Sequence, residues 1–150
     1  LRFMAKQELF SVPLVSQILL YTRCIPVDRE GYSKGTLEKI INSIKDGWAI
    51  LIFPEGTRTK TGDFNSPKKG VGMVAVLAGA PVVPCFIEGT YKAKPFKSKF
   101  KVTFLPPFHP TKIEAATKKD QYLLVSEKIM CDIKKFSNTH HGRAEKGQIQ

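Results

Sequence analysis

Three features of this 150-residue sequence predict an α/β fold, a mixed and largely parallel sheet flanked by helices. Apolar runs at 25–27, 49–53, 82–87 and 100–105 read as short strands. Segments with helical period separate them. Gly47, Gly79, Pro106 and Pro107 stand where those elements should stop. Helices that alternate with apolar strands bury both element types in a layered domain.

Taken in chain order, Leu9, Val12, Val15, Ile18, Leu19 and Tyr21 recur at roughly helical spacing after a turn at Lys6, Gln7 and Glu8. They predict a short apolar helix. Cys24, Ile25, Pro26 and Val27 form a strand running into Asp28 and Arg29. Leu37, Ile40, Ile41 and Ile44 define an amphipathic helix over 35–46, stopped by Gly47. A buried strand follows at 49–53, then an exposed polar loop at 59–70. A small-residue helix over 71–78 ends at Gly79, and a second buried strand spans 82–87. Residues 100–105 alternate as a further strand, closed by Pro106 and Pro107. Tyr122, Val125, Ile129, Ile133 and Phe136 make the apolar stripe of a last helix. Apolar periodicity then fades, which gives a domain over 1–136 and a flexible tail over 137–150.

A composition of 42% hydrophobic and 25% charged residues excludes a disordered chain. The balance of 24 basic against 13 acidic residues, net +11, favours polyanionic partners: anionic lipid, phosphorylated ligands or nucleic acid. Tyr91, Lys92, Lys94, Phe96 and Lys97 interleave aromatics with lysines in the manner of single-strand binders, but no nucleic-acid fold motif accompanies them, and no nucleic-acid partner is expected. Cys24, Cys85 and Cys131 fit no metal-ligand spacing, and Cys24 and Cys85 read as reduced core residues. The most apolar segment, 9–25, contains Pro13 and Arg23 and is too short to span a bilayer.

The chemistry concentrates at 53–58, Phe-Pro-Glu-Gly-Thr-Arg, directly after a strand. This turn gathers a carboxylate, a glycine that lets a ligand approach the backbone, a hydroxyl and a guanidinium. In α/β sheets the loops at the carboxyl ends of parallel strands converge on one crevice. If the strands ending at Val27 and Phe53 are parallel, Arg29 and Arg58 share that crevice. Two guanidiniums there repel unless an anion lies between them. Phosphate suits this role, because each fork donates paired hydrogen bonds. Lys6 and Lys69 add point charge.

Ala5-Lys6-Gln7-Glu8-Leu9, Ile25-Pro26-Val27-Asp28-Arg29, the 53–58 hexapeptide, Phe64 with Lys68-Lys69-Gly70, Ala80-Pro81-Val82-Val83-Pro84 and Gly89-Thr90 follow one another in a fixed order. In that order they resemble the sequence blocks of the glycerolipid acyltransferase family, whose members make phosphatidic acid from 1-acylglycerol-3-phosphate. The resemblance covers 3–108. It implies transfer of an acyl chain from acyl-CoA or acyl carrier protein to the free hydroxyl of lysophosphatidate, in phospholipid biosynthesis. Arg29 and Arg58 would hold the acceptor's phosphate with Lys6 and Lys69 assisting, while Glu55, Gly56 and Thr57 shape the acceptor site. Val82, Val83 and Pro84 would line the acyl side or simply shape the core. No metal or redox cofactor is implied.

The family's first block, Asn-His-x-x-x-x-Asp, is absent from these residues and is expected upstream of Leu1. Its His acts as general base and its Asp orients the ring. His109 with Glu114 and His140 with Glu145 mimic the spacing but fall in the wrong chain order. The 150 residues alone are therefore expected to be inactive or nearly so. The resemblance also implies work on the cytoplasmic side of a membrane, the chain being peripheral or anchored by a missing segment. The apolar helix at 9–20 would then dock on anionic lipid, or it is a plain core element. Two other functions remain open: a non-catalytic module for anionic lipid or phosphate, and acylation of glycerol-3-phosphate or another lysophospholipid.

Overall fold

The computed structural model describes residues 1–27, 32–57, 63–90 and 99–146, with side chains through His140. Its parallel half begins with β1 (Met4–Lys6), which pairs with β2 (Ile25–Val27) in the register Met4↔Ile25, Ala5↔Pro26 and Lys6↔Val27. On the other side Arg2 forms a parallel bridge to Ile50: Arg2 N–H donates to the Ala49 carbonyl at 2.8 Å, and Leu51 N–H donates to the Arg2 carbonyl at 3.1 Å. Parallel neighbours need a crossover long enough to return the chain. A 3₁₀ turn at Gln7–Ser11 and α1 (Pro13–Tyr21) supply the first, and α2 (Lys34–Lys45) supplies the second.

Local chemistry explains the bounds of α2. The Ser33 hydroxyl accepts the Thr36 N–H at 3.2 Å and so satisfies one orphan donor. Lys45 lies in the last turn, and Gly47, at φ +85°, turns the chain out of the helix. Ile40, fully buried, packs with Ile25 and Val74, and Met4, Tyr32, Leu37, Ile44, Ile50 and Ile52 close around them.

The second half is antiparallel. β3 (Cys85–Glu88) pairs with β4 (Lys101–Phe104), and Val82 bridges Phe108 just outside them. Against this pair lie α3 (Lys69–Ala78) and α4 (Lys118–Lys146). Ala75, Phe86, Leu105, Val125, Ile129 and Ile133 form its core. α3 serves both halves, with Val74 in one core and Ala75 in the other. It meets α4 at Gly72, where a Cβ would lie 1.9 Å from the Tyr122 carbonyl.

Several expectations change. β1 ends at Lys6, where a turn was expected to begin, and the helix expected from Leu9 begins at Pro13 after a 3₁₀ turn. The strand expected over 49–53 reduces to the single bridge at Ile50, and that over 82–87 starts only at Cys85, because Pro84 has no N–H to donate. α4 continues past Phe136 to Lys146, with Ser137 buried and the His140 ring stacked on Phe136 at 5.5 Å. Apolar counting stops at Phe136, but one small buried residue and one ring suffice to carry the packed face onward. Cys24 and Cys85 are half-buried rather than core residues, and all three cysteines are free. Burial pushes the Cys85 thiol up.

Candidate active site

β1, β2 and the Ile50 segment run in one direction, so their carboxyl ends open on the same edge of the molecule. Lys6 ends β1, exposed and in register with Val27, which ends β2. The chain leaving Val27 enters 28–31 and the chain leaving Phe53 enters the Glu55 turn. The parallel direction expected for the two segments is seen at β2 and at the Ile50 bridge, three residues before Phe53. Arg29 and Arg58 themselves lie outside the described residues, as does the aromatic-lysine run at 91–97.

The turn is held from outside. Gly56 N–H donates to the Phe53 carbonyl at 3.1 Å, with Gly56 at φ +68°, a conformation costly for any residue with a Cβ. Half-buried Glu55 does not point into open solvent: its Oε2 accepts the Asn65 N–H at 2.6 Å. Lys68 N–H donates to the Pro54 carbonyl at 2.8 Å. Two bonds thus tie the 54–57 turn to the segment entering α3. Glu55 positions the loop, and Thr57 stays exposed.

Lys69 is the first residue of α3 and exposed. Its neighbour Lys68, not singled out by the sequence, lies closer to the turn: Lys68 Cγ is 3.1 Å from where a Gly56 Cβ would stand. Tyr32, also passed over, lays its ring on Gly70, 2.9 Å from that residue's Cβ position. Burial pushes the Tyr32 phenol up. The doublet Lys68-Lys69 offered a signal for the first. Nothing marked the second, because the match between a ring and a bare glycine across 38 positions is legible only in three dimensions.

Pro84 is buried in the antiparallel half, its carbonyl accepting Leu105 N–H at 2.9 Å, which favours a core-shaping role. Neither described histidine stands at the parallel strand ends. His109 Nδ1 is 2.7 Å from Thr111 Oγ1 rather than paired with Glu114. His140 Nε2 is 3.5 Å from Glu88 Oε1 and 3.1 Å from Lys101 Nζ, on β3 and β4. The Glu145 side chain is outside the described set.

Comparison with known proteins follows this geometry. A family model described as Acyltransferase matches residues 1–88. Among characterised relatives, the chain is 30% identical over 141 residues to the 1-acyl-sn-glycerol-3-phosphate acyltransferase of Bacillus subtilis, covering 92% of this chain and 69% of that protein. It is 31% identical over 100 residues to a chloroplastic 1-acyl-sn-glycerol-3-phosphate acyltransferase of Brassica napus, covering 65% of this chain and 29% of that one. Among solved structures, the 1-acyl-sn-glycerophosphate (LPA) acyltransferase PlsC of Thermotoga maritima superposes with a TM-score of 0.66 at 28% identity. That match covers 91% of this chain and 56% of the Thermotoga chain. The chain therefore spans only part of each relative's length.

Proposed function

Because the chain belongs to the acyltransferase family, we propose that it forms the acceptor side of an enzyme that acylates lysophosphatidate to phosphatidic acid. The observation that carries this is the parallel register. It brings Lys6, the end of β2 that precedes Arg29 in the chain, and the turn that precedes Arg58 to one edge. Arg29 and Arg58 hold the acceptor's phosphate bidentately, with lysine charge beside them, and Glu55 fixes the turn that presents Arg58. The acceptor hydroxyl attacks the thioester carbonyl of acyl-CoA or acyl carrier protein. Its proton passes to a general base, the carbon–oxygen bond forms, and the thiolate leaves. His109 and His140, engaged elsewhere, do not serve as that base.

In these 150 residues alone, acyl transfer is expected to run slower than in a relative with the His-x4-Asp block by at least the roughly 10²–10⁴-fold worth of a general base. Lysophosphatidate binding persists. Labelled acyl-CoA and lysophosphatidate, followed by chromatography of the lipid products, measure the first. Robust phosphatidic acid formation by this chain refutes the assignment of the base, and phosphate-independent binding refutes the acceptor site. A binding-only role is the second reading, favoured by the positions of the two described histidine side chains, His109 and His140.

The reaction is proposed to take place at the cytoplasmic face of an anionic membrane. No helix among the described residues is long and apolar enough to cross a bilayer. α1, however, buries none of its residues and leaves Leu14, Ile18 and Tyr21 exposed at 78%, 60% and 90%. This supports interfacial docking over a core role for that helix.

A further inference from the structure

We infer that Lys68, rather than Lys69, is the lysine that meets the acceptor's phosphate. The inference rests on the acceptor site proposed above and names a binding residue within it. The Lys68 stem crosses the bare face of Gly56, with Cγ 3.1 Å and Cε 3.9 Å from the position a Cβ would take. Among the described residues outside the turn itself, no other heavy atom comes within 4 Å of that position. The end of the stem, and the ammonium it carries, therefore lies beside the Glu-Gly-Thr turn.

The Lys68 backbone is fixed on both sides. Its N–H donates to Pro54 at 2.8 Å, and its carbonyl lies 3.2 Å from the hydroxyl of fully buried Ser126, whose one proton it shares with the Tyr122 carbonyl. Among the described residues no carboxylate pairs with its ammonium. The one carboxylate in the turn, Glu55, already receives the Asn65 N–H. A cation held beside the turn and in no salt bridge among the described residues is the third point of attachment for a phosphate. It contributes compact point charge where the two arginines contribute planar forks. Lys68 is the extended N-cap of α3 and Lys69 its first helical residue, and of the two only Lys68 brings heavy atoms within 4 Å of the Gly56 Cβ position. The absent Gly56 side chain gains a second reason: a methyl there would displace the stem.

The test is calorimetric titration of the chain with a short-chain, non-micellar lysophosphatidate and with the phosphate-free monoacylglycerol of equal chain length. Lys68→Gln, which keeps the backbone bonds and most of the stem, is expected to weaken lysophosphatidate binding about tenfold. Monoacylglycerol binding should be unchanged. Lys69→Gln should change either ligand by less than about twofold, and Lys68→Arg should restore most of the phosphate preference. Equal losses in the two glutamine variants, or a Lys68→Gln loss shared by both ligands, overturn the inference. The double variant Arg29→Ala/Arg58→Ala separates the levels. If it abolishes the phosphate preference while Lys68→Gln does not, Lys68 alone is wrong. If it leaves the preference intact, the acceptor site and Lys68 fall together.

Discussion

At Gly56 a single missing methyl group meets two demands, a left-handed φ of +68° and the passage of the Lys68 stem. Gly56→Ala is expected to cost about 1–2 kcal/mol of unfolding free energy, the penalty of holding an L-residue in that region, read from urea denaturation. Gly35→Ala provides the contrast. Gly35 sits in α2 with nothing within 4 Å of a Cβ, so alanine there should gain up to about 1 kcal/mol. Tyr32 gives the pH counterpart. Burial raises its phenol above the ordinary 10.0, so the folded state holds that proton more tightly than the unfolded chain. The contribution is fully present below the unfolded value and is lost as pH rises through the folded one. Urea midpoints measured from pH 9 upward, to about pH 11, should fall more steeply in the wild type than in Tyr32→Phe. Parallel slopes would remove Tyr32 from the alkaline transition.

Among the elements, the α3–α4 contact sets the tightest tolerance in the fold. Gly72 N–H donates to Ser126 Oγ at 3.0 Å, and Ser126 in turn donates to the Tyr122 carbonyl at 2.9 Å. A Cβ at Gly72 would lie 1.9 Å from that carbonyl, where only movement of backbone relieves it. Gly72→Ala should destabilise by about 3 kcal/mol or prevent folding, as seen by denaturation and circular dichroism. Ser126→Ala loses the bonds without the clash and should cost less. How much of the fold was legible varied with the length of each element. α2 declared itself, because Leu37, Ile40, Ile41 and Ile44 repeat over about two turns and Gly47 stops it. β1 did not, because three residues are too few to show a period, and its identity comes from pairing with β2, while Arg2 just before it bridges Ile50. α4 outran its stripe because Ser137 is buried by tertiary packing rather than by apolarity. In the site, Glu55 and Gly56 were legible as residues that shape a turn. Their supports, the Asn65 amide and the Lys68 stem, were not. A backbone N–H has no letter in the sequence, and contact between positions 56 and 68 exists only once the chain is folded.

On the scale of the whole molecule, α3 carries one residue into each core and begins beside the turn that leads to Arg58. Strain at the 54–57 turn is therefore borne by an element anchored in both halves, while α1 stands apart with no buried residue. That separation lets the two ends of the proposed reaction be tested independently. An exposed apolar helix on a chain of net charge +11 should partition onto bilayers, with apolar insertion and attraction to anionic headgroups acting together. The two terms respond differently to salt, because surface attraction is screened within about 10 Å at 0.1 M ionic strength whereas apolar insertion is not. Co-sedimentation with vesicles rich in anionic lipid should weaken markedly between 0.05 and 0.5 M salt, to about the level seen with zwitterionic vesicles. Leu14→Glu/Ile18→Glu removes the apolar term by placing carboxylates on the docking face. It should reduce binding to both vesicle types by at least tenfold, since each buried aliphatic side chain is worth about 1.5–3 kcal/mol. Both side chains are exposed and belong to neither core cluster, so binding of non-micellar lysophosphatidate in solution should persist in this variant. Vesicle binding untouched by the double substitution would move the docking surface off α1, to the lysine clusters alone.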